Sequence, residues 1–285
     1  MQFEIKRDIL LKSLNFAHSI IERKNTLPIL SNVLLEAKNN RLSIVATDLD
    51  LVFYDEIVDL KITKEGSTTT SATVLHDLLK KLPSNLDIVF ILKDENKLNI
   101  SAENSKFNLL CLPVNNFPNF SDNFDNERIT LNKRDFLSLL NKTKISMSND
   151  ETRHYLNGIF IHATEANGKT FLTGVATDSH RLSSSSMPIE NVKKFKPFIL
   201  PKKTVFHLCS LLEGADEKIT LFSSDTKTQF IVGKSKITSK VIDGKFPDYG
   251  KVVPKNNSKI LSVNAKDLIN SVERVITVSI DRKEG

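Results

Sequence analysis

A phrase that occurs twice constrains this chain more than its composition does. Val45-Ala46-Thr47-Asp48 returns as Val175-Ala176-Thr177-Asp178, 130 residues later. A chance match would leave the flanking text unrelated, so the test is whether neighbouring phrases repeat in the same order at similar spacing. They do. Lys6-Arg7-Asp8 returns as Lys133-Arg134-Asp135 at a spacing of 127, and Thr73-Val74-Leu75-His76 as Thr204-Val205-Phe206-His207 at 131. Phe117-Pro118-Asn119-Phe120 returns as Phe246-Pro247-Asp248-Tyr249 at 129. A third copy opens at Val263-Asn264-Ala265-Lys266-Asp267-Leu268-Ile269, which parallels Leu131 to Leu137, and continues into apolar positions at Val272, Val275 and Ile276. The reading is two whole units, 1–125 and 126–254, and the start of a third, 255–285. That third copy is about a hundred residues shorter than its siblings.

Hydrophobic spacing then gives each unit its content. Leu10, Leu14, Ala17 and Ile21 recur every three or four residues, which predicts a helix over 6–21. Strands are expected over 29–36 and 42–58, split by the polar turn Lys38-Asn39-Asn40. Val74, Leu75, Leu78, Leu79 and Leu82 predict a second helix ending at Pro83, and short β runs at 98–102 and 107–112 close the unit. The second unit repeats the order, with helices over 133–147 and 202–212 and strands around 156–162, 170–184 and on to 249. Strands joined by short polar turns favour antiparallel pairing, since parallel pairs need long crossovers. The expected class is α+β, with two helices packed on antiparallel sheet in each copy.

The formal charge of +6 is unevenly spread. Residues 1–125 carry 14 Lys and Arg against 17 Asp and Glu, while the remainder carries 26 against 17. The basic excess, including Lys193, Lys194, Lys196, Lys202 and Lys203, points to a polyanionic partner, most simply nucleic acid. Cys111 and Cys209 lie far apart in apolar runs and read as reduced core residues. The N-terminus has no signal-like apolar region and no run approaches a membrane span, so a cytoplasmic protein is expected.

Catalytic patterns are missing. Asp178-Ser179-His180 has the residue types of a hydrolytic triad, but consecutive residues on an extended strand point to opposite faces and do not converge on one atom. The six histidines lack metal-ligand spacing, and neither a phosphate loop nor a dinucleotide-binding glycine pattern occurs. A repeated, basic, motif-poor chain suggests a binding role carried by shape.

Four motifs carry a family resemblance: Thr26-Leu27-Pro28-Ile29-Leu30-Ser31-Asn32, Arg153-His154-Tyr155-Leu156-Asn157-Gly158, Ala176-Thr177-Asp178-Ser179-His180-Arg181-Leu182 and Asp243-Gly244-Lys245-Phe246-Pro247-Asp248-Tyr249. Together they resemble the β sliding clamps, the processivity subunits of bacterial DNA polymerase III, over the whole chain including the shortened third unit. The resemblance implies a head-to-tail homodimer of three-domain chains closed around double-stranded DNA, helices lining the hole. It implies a non-catalytic tether without cofactor or metal. An ATP-driven clamp loader opens the ring, the catalytic subunit of DNA polymerase III binds it, and other polymerases and repair proteins dock through short linear peptides.

Residue by residue, the resemblance places Lys24, Arg153, Tyr155, Lys202 and Lys203 at DNA. It places Leu156, Thr177, His180, Arg181, Leu182, Pro247, Lys251 and Val252 in an apolar peptide groove, and Phe107 and Leu109 at the dimer interface. Ser179 stands where the family more often has Gly, and Gly250-Lys251 replaces a more basic pair. Because the third unit is shortened, the chain as written is expected to leave both groove and ring incomplete. The alternative is a scaffold that holds nucleic acid by electrostatic affinity without ring closure.

Overall fold

Leu10, Leu14 and Ala17 of the predicted stripe are fully buried and face a core, but the helix ends at Ile20, which is 1% exposed and takes the place expected of Ile21, half-buried just past the helix end. Burying each of the larger side chains contributes about 1.5–3 kcal/mol. The structure, a computed structural model, describes residues 1–22, 26–94, 96–120, 124, 128–190, 195–213 and 218–279. The chain divides into two compact units, Met1–Phe246 and Pro247–Gly285.

The first unit holds both whole repeats. Repeat one runs β1 (Gln2–Lys6), α1 (Arg7–Ile20), β2 (Asn32–Lys38), β3 (Arg41–Thr47), β4 (Leu51–Ile57), β5 (Lys61–Lys64), β6 (Gly66–Ser71), α2 (Ala72–Lys81), β7 (Asp87–Asp94), β8 (Lys97–Ala102) and β9 (Ser105–Leu112). Repeat two runs β10 (Ile129–Asn132), α3 (Lys133–Thr143), β11 (Gly158–Ala166), β12 (Lys169–Thr177), β13 (Leu182–Pro188), β14 (Phe198–Pro201), α4 (Lys202–Leu212), β15 (Lys218–Ser223), β16 (Lys227–Val232) and β17 (Ser235–Lys240). Short 3-10 turns lie at Pro28–Ser31, Val114–Asn116, Lys144–Ser146 and Glu151–Leu156. All the strand pairs are antiparallel, and two helices per repeat pack on them, as the α+β reading expects.

Each long strand run predicted from sequence, 42–58 and 170–184, is two strands broken at the Thr-Asp phrase. The phrase ends one strand and builds the turn to the next. Two other repeat landmarks slip by one residue. Strand partners match Lys6 to Asn132, not to Lys133, because Lys6 pairs with Asp87 at the end of β1 just as Asn132 pairs with Lys218 at the end of β10. Leu10, Leu14 and Ala17 then correspond to the buried Phe136, Leu140 and Thr143. A one-residue slip would rotate a helix by about 100° and turn this face out of the core. The second helix slips likewise, since Ser71 opposite Asn32 corresponds to Pro201 opposite Gly158.

The repeats share one sheet. Its strand order is β10-β15-β16-β17-β4-β3-β2-β6-β9-β8-β7-β1-β5, while β13-β12-β11-β14 forms a second sheet. The joint is the β17–β4 ladder, with Lys236 to Ser239 opposite Tyr54 to Leu51. The Ser235 hydroxyl donates to Asp55 at 2.9 Å, and the Lys240 ammonium meets Asp50 at 2.8 Å. The first unit ends at Phe246, which is 7% exposed and stacks on Phe160 at 5.0 Å.

The second unit contains a 3-10 turn at Tyr249–Lys251 and α5 (Ala265–Ser279). The Asn264 side chain accepts from the Lys266 amide at 2.9 Å, an N-terminal cap for this helix. Its apolar residues Leu268, Val272 and Ile276 are exposed.

Candidate functional site

The repeated phrase builds the same turn twice. At the end of β3 the Thr47 hydroxyl accepts from the Leu49 amide at 2.9 Å, and Asp48 Oδ1 accepts from the amides of Asp50 and Leu51 at 3.0 and 2.6 Å. At the end of β12 Thr177 accepts from Ser179 at 3.1 Å, and Asp178 Oδ1 accepts from His180 and Arg181, both at 3.0 Å. Thr and Asp recur because a short side-chain acceptor is required at each of these two positions. The third turn residue is left-handed in both, with φ 79° at Leu49 and 78° at Ser179.

This geometry corrects the reason for rejecting a triad at 178–180. The segment is a turn, not an extended strand, and both Asp178 oxygens are taken. Oδ2 receives the Arg181 guanidinium at 2.9 Å, and the backbone amides of Arg181 and His180 hold the carboxyl below the usual range. Asp178 thus orients its own turn and Arg181, rather than the ring of His180 as a triad would require.

Around this second turn lie five of the eight residues expected at the peptide groove. Thr177 and Leu182 face each other as the closing pair of β12 and β13, His180 and Arg181 are exposed at the tip, and Leu156 is buried just before β11. Gly158 follows because β14 passes too close for a side chain. A Cβ there would sit 2.2 Å from the Leu200 carbonyl oxygen. Pro247, Lys251 and Val252 belong to the second unit, where Lys251 pairs with Asp248 at 3.3 Å and Val252 is exposed.

The residues expected at DNA have diverse surroundings. Lys24 lies outside the described residues. Lys202 starts α4 and donates to the Asn149 side chain. Lys203 meets Asp48 of repeat one and, at 3.0 Å, Glu22. Burial opposes its charge, but hydrogen bonds to Asp48 and Glu22 outweigh that, and its pKa is raised. Arg153 reaches Asp150 through Nε at 2.8 Å and the Ser179 hydroxyl through a terminal nitrogen at 2.7 Å. The Thr152 hydroxyl and Arg153 bring the Asp150 pKa down to about 2. Arg153 thus ties the 3-10 turn to the left-handed Ser179. Sequence reading flagged Ser179 as a departure but could not show this bond, which joins positions 26 residues apart. Tyr155 lies beside Gly244, whose φ of 148° and missing Cβ leave room for it.

Phe107 and Leu109 sit half-buried on β9, and Leu110 beside them is 77% exposed. Ser105 opens β9 opposite Ala102 as Ser235 opens β17 opposite Val232, so Phe107 and Leu109 correspond to Ile237 and Ser239. Ile237 and Ser239 are in the ladder that joins the repeats. Among the described residues, 105–110 of β9 pair with β8 alone.

Residues 1–121 match the N-terminal domain of the DNA polymerase III beta subunit and residues 130–248 match its central domain. The beta sliding clamp of Caulobacter vibrioides is 40% identical over 287 residues, covering 100% of this chain and 77% of that protein.

The chain belongs to the beta sliding clamp family.

Members of the family are non-catalytic processivity factors of DNA polymerase III, and the plain electrostatic scaffold gives way to that reading. The Pseudomonas aeruginosa clamp is 32% identical, with this chain spanning 77% of its length. Among solved structures, a clamp from Caulobacter crescentus superposes with a TM-score of 0.95 at 40% identity, covering 99% of this chain and 75% of that one. One from Bartonella birtlesii, bound to griselimycin, gives 0.94 at 38% identity, covering 99% and 76%.

Proposed function

We propose that this clamp chain joins a ring around double-stranded DNA through the free edge of β9, and that the second Thr-Asp turn receives the peptides of its partners. The observation that carries the ring reading is the repeat equivalence of β9 and β17. One is paired to β4 within the chain; the other offers the same edge, with Phe107 and Leu109 on it. A head-to-tail contact that reuses an internal joint generates a closed ring when the rotation per copy completes a circle. The partner strand is then a β4-like strand of another subunit, giving the homodimer.

Lys202 and Lys24 supply sequence-independent phosphate contacts, which are salt-sensitive and permit sliding. Lys203, tied to Asp48 and Glu22, serves the joint first. Arg153 and Tyr155 flank the second turn; Arg153 acts on it through Ser179 and Tyr155 remains open to DNA. Leu156, Thr177, His180, Arg181 and Leu182 of the first unit are the groove residues for short peptides of the polymerase catalytic subunit, the clamp loader and repair proteins; Pro247, Lys251 and Val252 are the positions in the second unit that the family resemblance adds. The griselimycin-bound relative supports a ligand pocket in this fold. The domain limits are those of the repeats, 1–125, 126–254 and a third from 255. Among the described residues no helix is long and apolar enough to cross a membrane.

The test loads the protein on nicked circular DNA with its cognate loader and ATP, then cuts the circle once. Retention on circles and release on linearisation are expected. Equal retention before and after the cut overturns the ring in favour of affinity alone.

A further inference from the structure

The strand at the edge of the second sheet, β13, pairs with β12 alone among the described residues. From Leu182 to Met187 it carries no charged residue and no proline, the usual guards of an exposed edge. Ser184 and Ser186 on it are exposed. Such an edge is a template for one more strand.

Register identifies the strand that fits. Leu42 pairs with Ile57 and Thr47 with Val52, just as Leu172 pairs with Met187 and Thr177 with Leu182, so β13 is the counterpart of β4. Within the chain, β4 receives β17. The counterpart of β17 is β9, whose residues 105–110 pair with β8 alone among the described residues. The molecule therefore carries a free copy of each half of its own internal ladder, and unlike halves on identical molecules associate head-to-tail.

Carried over position by position, the β17–β4 register sets Lys106 opposite Ser184, Phe107 opposite Ser183, Asn108 opposite Leu182 and Leu109 opposite Arg181. In the internal ladder the fully buried Phe53 stands opposite Ile237. Where β4 has Phe53, β13 has Ser183, whose hydroxyl turns to Ser146 at 2.7 Å; where β17 has Ile237, β9 has Phe107. The large ring changes sides, and the room that Ser183 leaves is filled by Phe107. The ion pairs Asp48–Lys203 and Asp50–Lys240 have no counterpart, because Lys203 and Lys240 correspond to Thr73 and Leu110. The new ladder is held by backbone bonds and apolar contact, so it is weaker than the internal one and insensitive to salt.

We propose that β9 of one copy of this chain adds to β13 of a second copy, antiparallel and in the register of the β17–β4 ladder. The proposal rests on the reading of β9 as an interface edge and names the strand it meets. The second copy then supplies a wall of the peptide groove. Thr238 and Lys240 line one cavity with Val52 and Asp50, and their counterparts Asn108 and Leu110 take those places beside Leu182 and His180.

Directly opposite positions bring Cβ atoms to about 5 Å, close enough for cysteines to be oxidised to a disulfide. The test mixes two single variants, Asn108→Cys and Leu182→Cys, one enlarged by a tag, and oxidises them. The native Cys111 and Cys209 are buried, and the unchanged chain serves as the blank. A mixed dimer is expected at roughly tenfold the yield of either variant alone, or of Asn108→Cys mixed with Ser186→Cys, which is out of register. Its yield is expected to be the same at low and high salt and to fall roughly tenfold with Phe107→Ala, whose folding is checked by circular dichroism. Equal yields for the two registers overturn the proposal. So does a Leu182→Cys thiol that resists alkylation in the untreated chain, because another segment then covers β13. Retention on circular DNA without the 108–182 link overturns this pairing and leaves the ring, whereas the link without retention supports the pairing and removes the ring.

Discussion

Thr47-Asp48 and Thr177-Asp178 build turns with matching hydrogen bonds and matching left-handed third residues, yet Asp48 is 6% exposed and Asp178 is 21% exposed. Asp48 sends its second oxygen to Lys203 in the other repeat, and its neighbour Asp50 holds Lys240. Asp178 sends its second oxygen to Arg181 of its own turn, which is 62% exposed. One turn is therefore part of a joint between repeats and the other is open to a partner. The repeat keeps the backbone device and differs at the two following residues, Leu49-Asp50 against Ser179-His180, so that only the first turn is tied into the other repeat.

The largest effect in this contrast is expected at Asp48. Asp48→Ala orphans two turn amides and leaves Lys203 half-buried without its main counter-charge, costing about 3 kcal/mol in urea unfolding. Asp178→Ala, at a less buried carboxylate whose ion pair stays within its own turn, is expected to cost less than half as much. Equal costs would erase the distinction between the turns. Next is the pair across the joint. A double-mutant cycle of Asp48→Asn with Lys203→Met is expected to show coupling of about 1 kcal/mol, reduced by the solvent exposure of Lys203. Because Lys203 serves this pair, charge reversal at Lys202 is the cleaner probe of DNA, and it should slow loading more at low salt than at high salt, where the phosphate contact is already screened.

Glycine at the third position sharpens the likeness of the turns. Leu49→Gly and Ser179→Gly each remove a left-handed side chain, which relieves about 1 kcal/mol of strain. Ser179→Gly, however, also releases Arg153, so it is expected to loosen the second turn in hydrogen exchange while Leu49→Gly tightens the first. Ser179→Ala keeps the strain and loses the Arg153 partner, and is expected to be the least stable of the three.

The smallest effect concerns His207, whose ring approaches the Ser19 hydroxyl at 3.3 Å. Burial and the nearby Lys203 lower its pKa. The unfolded chain therefore binds the proton first as pH falls through about 6.5, and stability declines below that pH until the folded pKa is reached. His207→Asn should flatten the fall in Tm between pH 7.5 and 5.

The repeat, the α+β class and the helical stripes were legible because burial imposes periods of about 3.6 and 2 that survive divergence. Leu10, Leu14 and Ala17 announce their face without any alignment. The slip of Lys6-Arg7-Asp8 against Lys133-Arg134-Asp135 was not legible, since matching letters ignore which side of a helix enters the core. Lys203 looked like a solvent-facing cation because its partner Asp48 is 155 residues away in sequence. Arg153 was hidden likewise, since its bond to Ser179 depends on how two segments fold together.

The β17–β4 ladder has a mechanical meaning. Four strand positions, two ion pairs at Asp48 and Asp50 and the Ser235–Asp55 bond cross the same joint, so bending there would have to shear many short-range contacts at once. The two repeats are thereby held as one compact unit. In the ring proposed above, the compliance needed to admit DNA would then reside at joints between chains, where the edge of β9 could be unzipped without breaking the β17–β4 ladder.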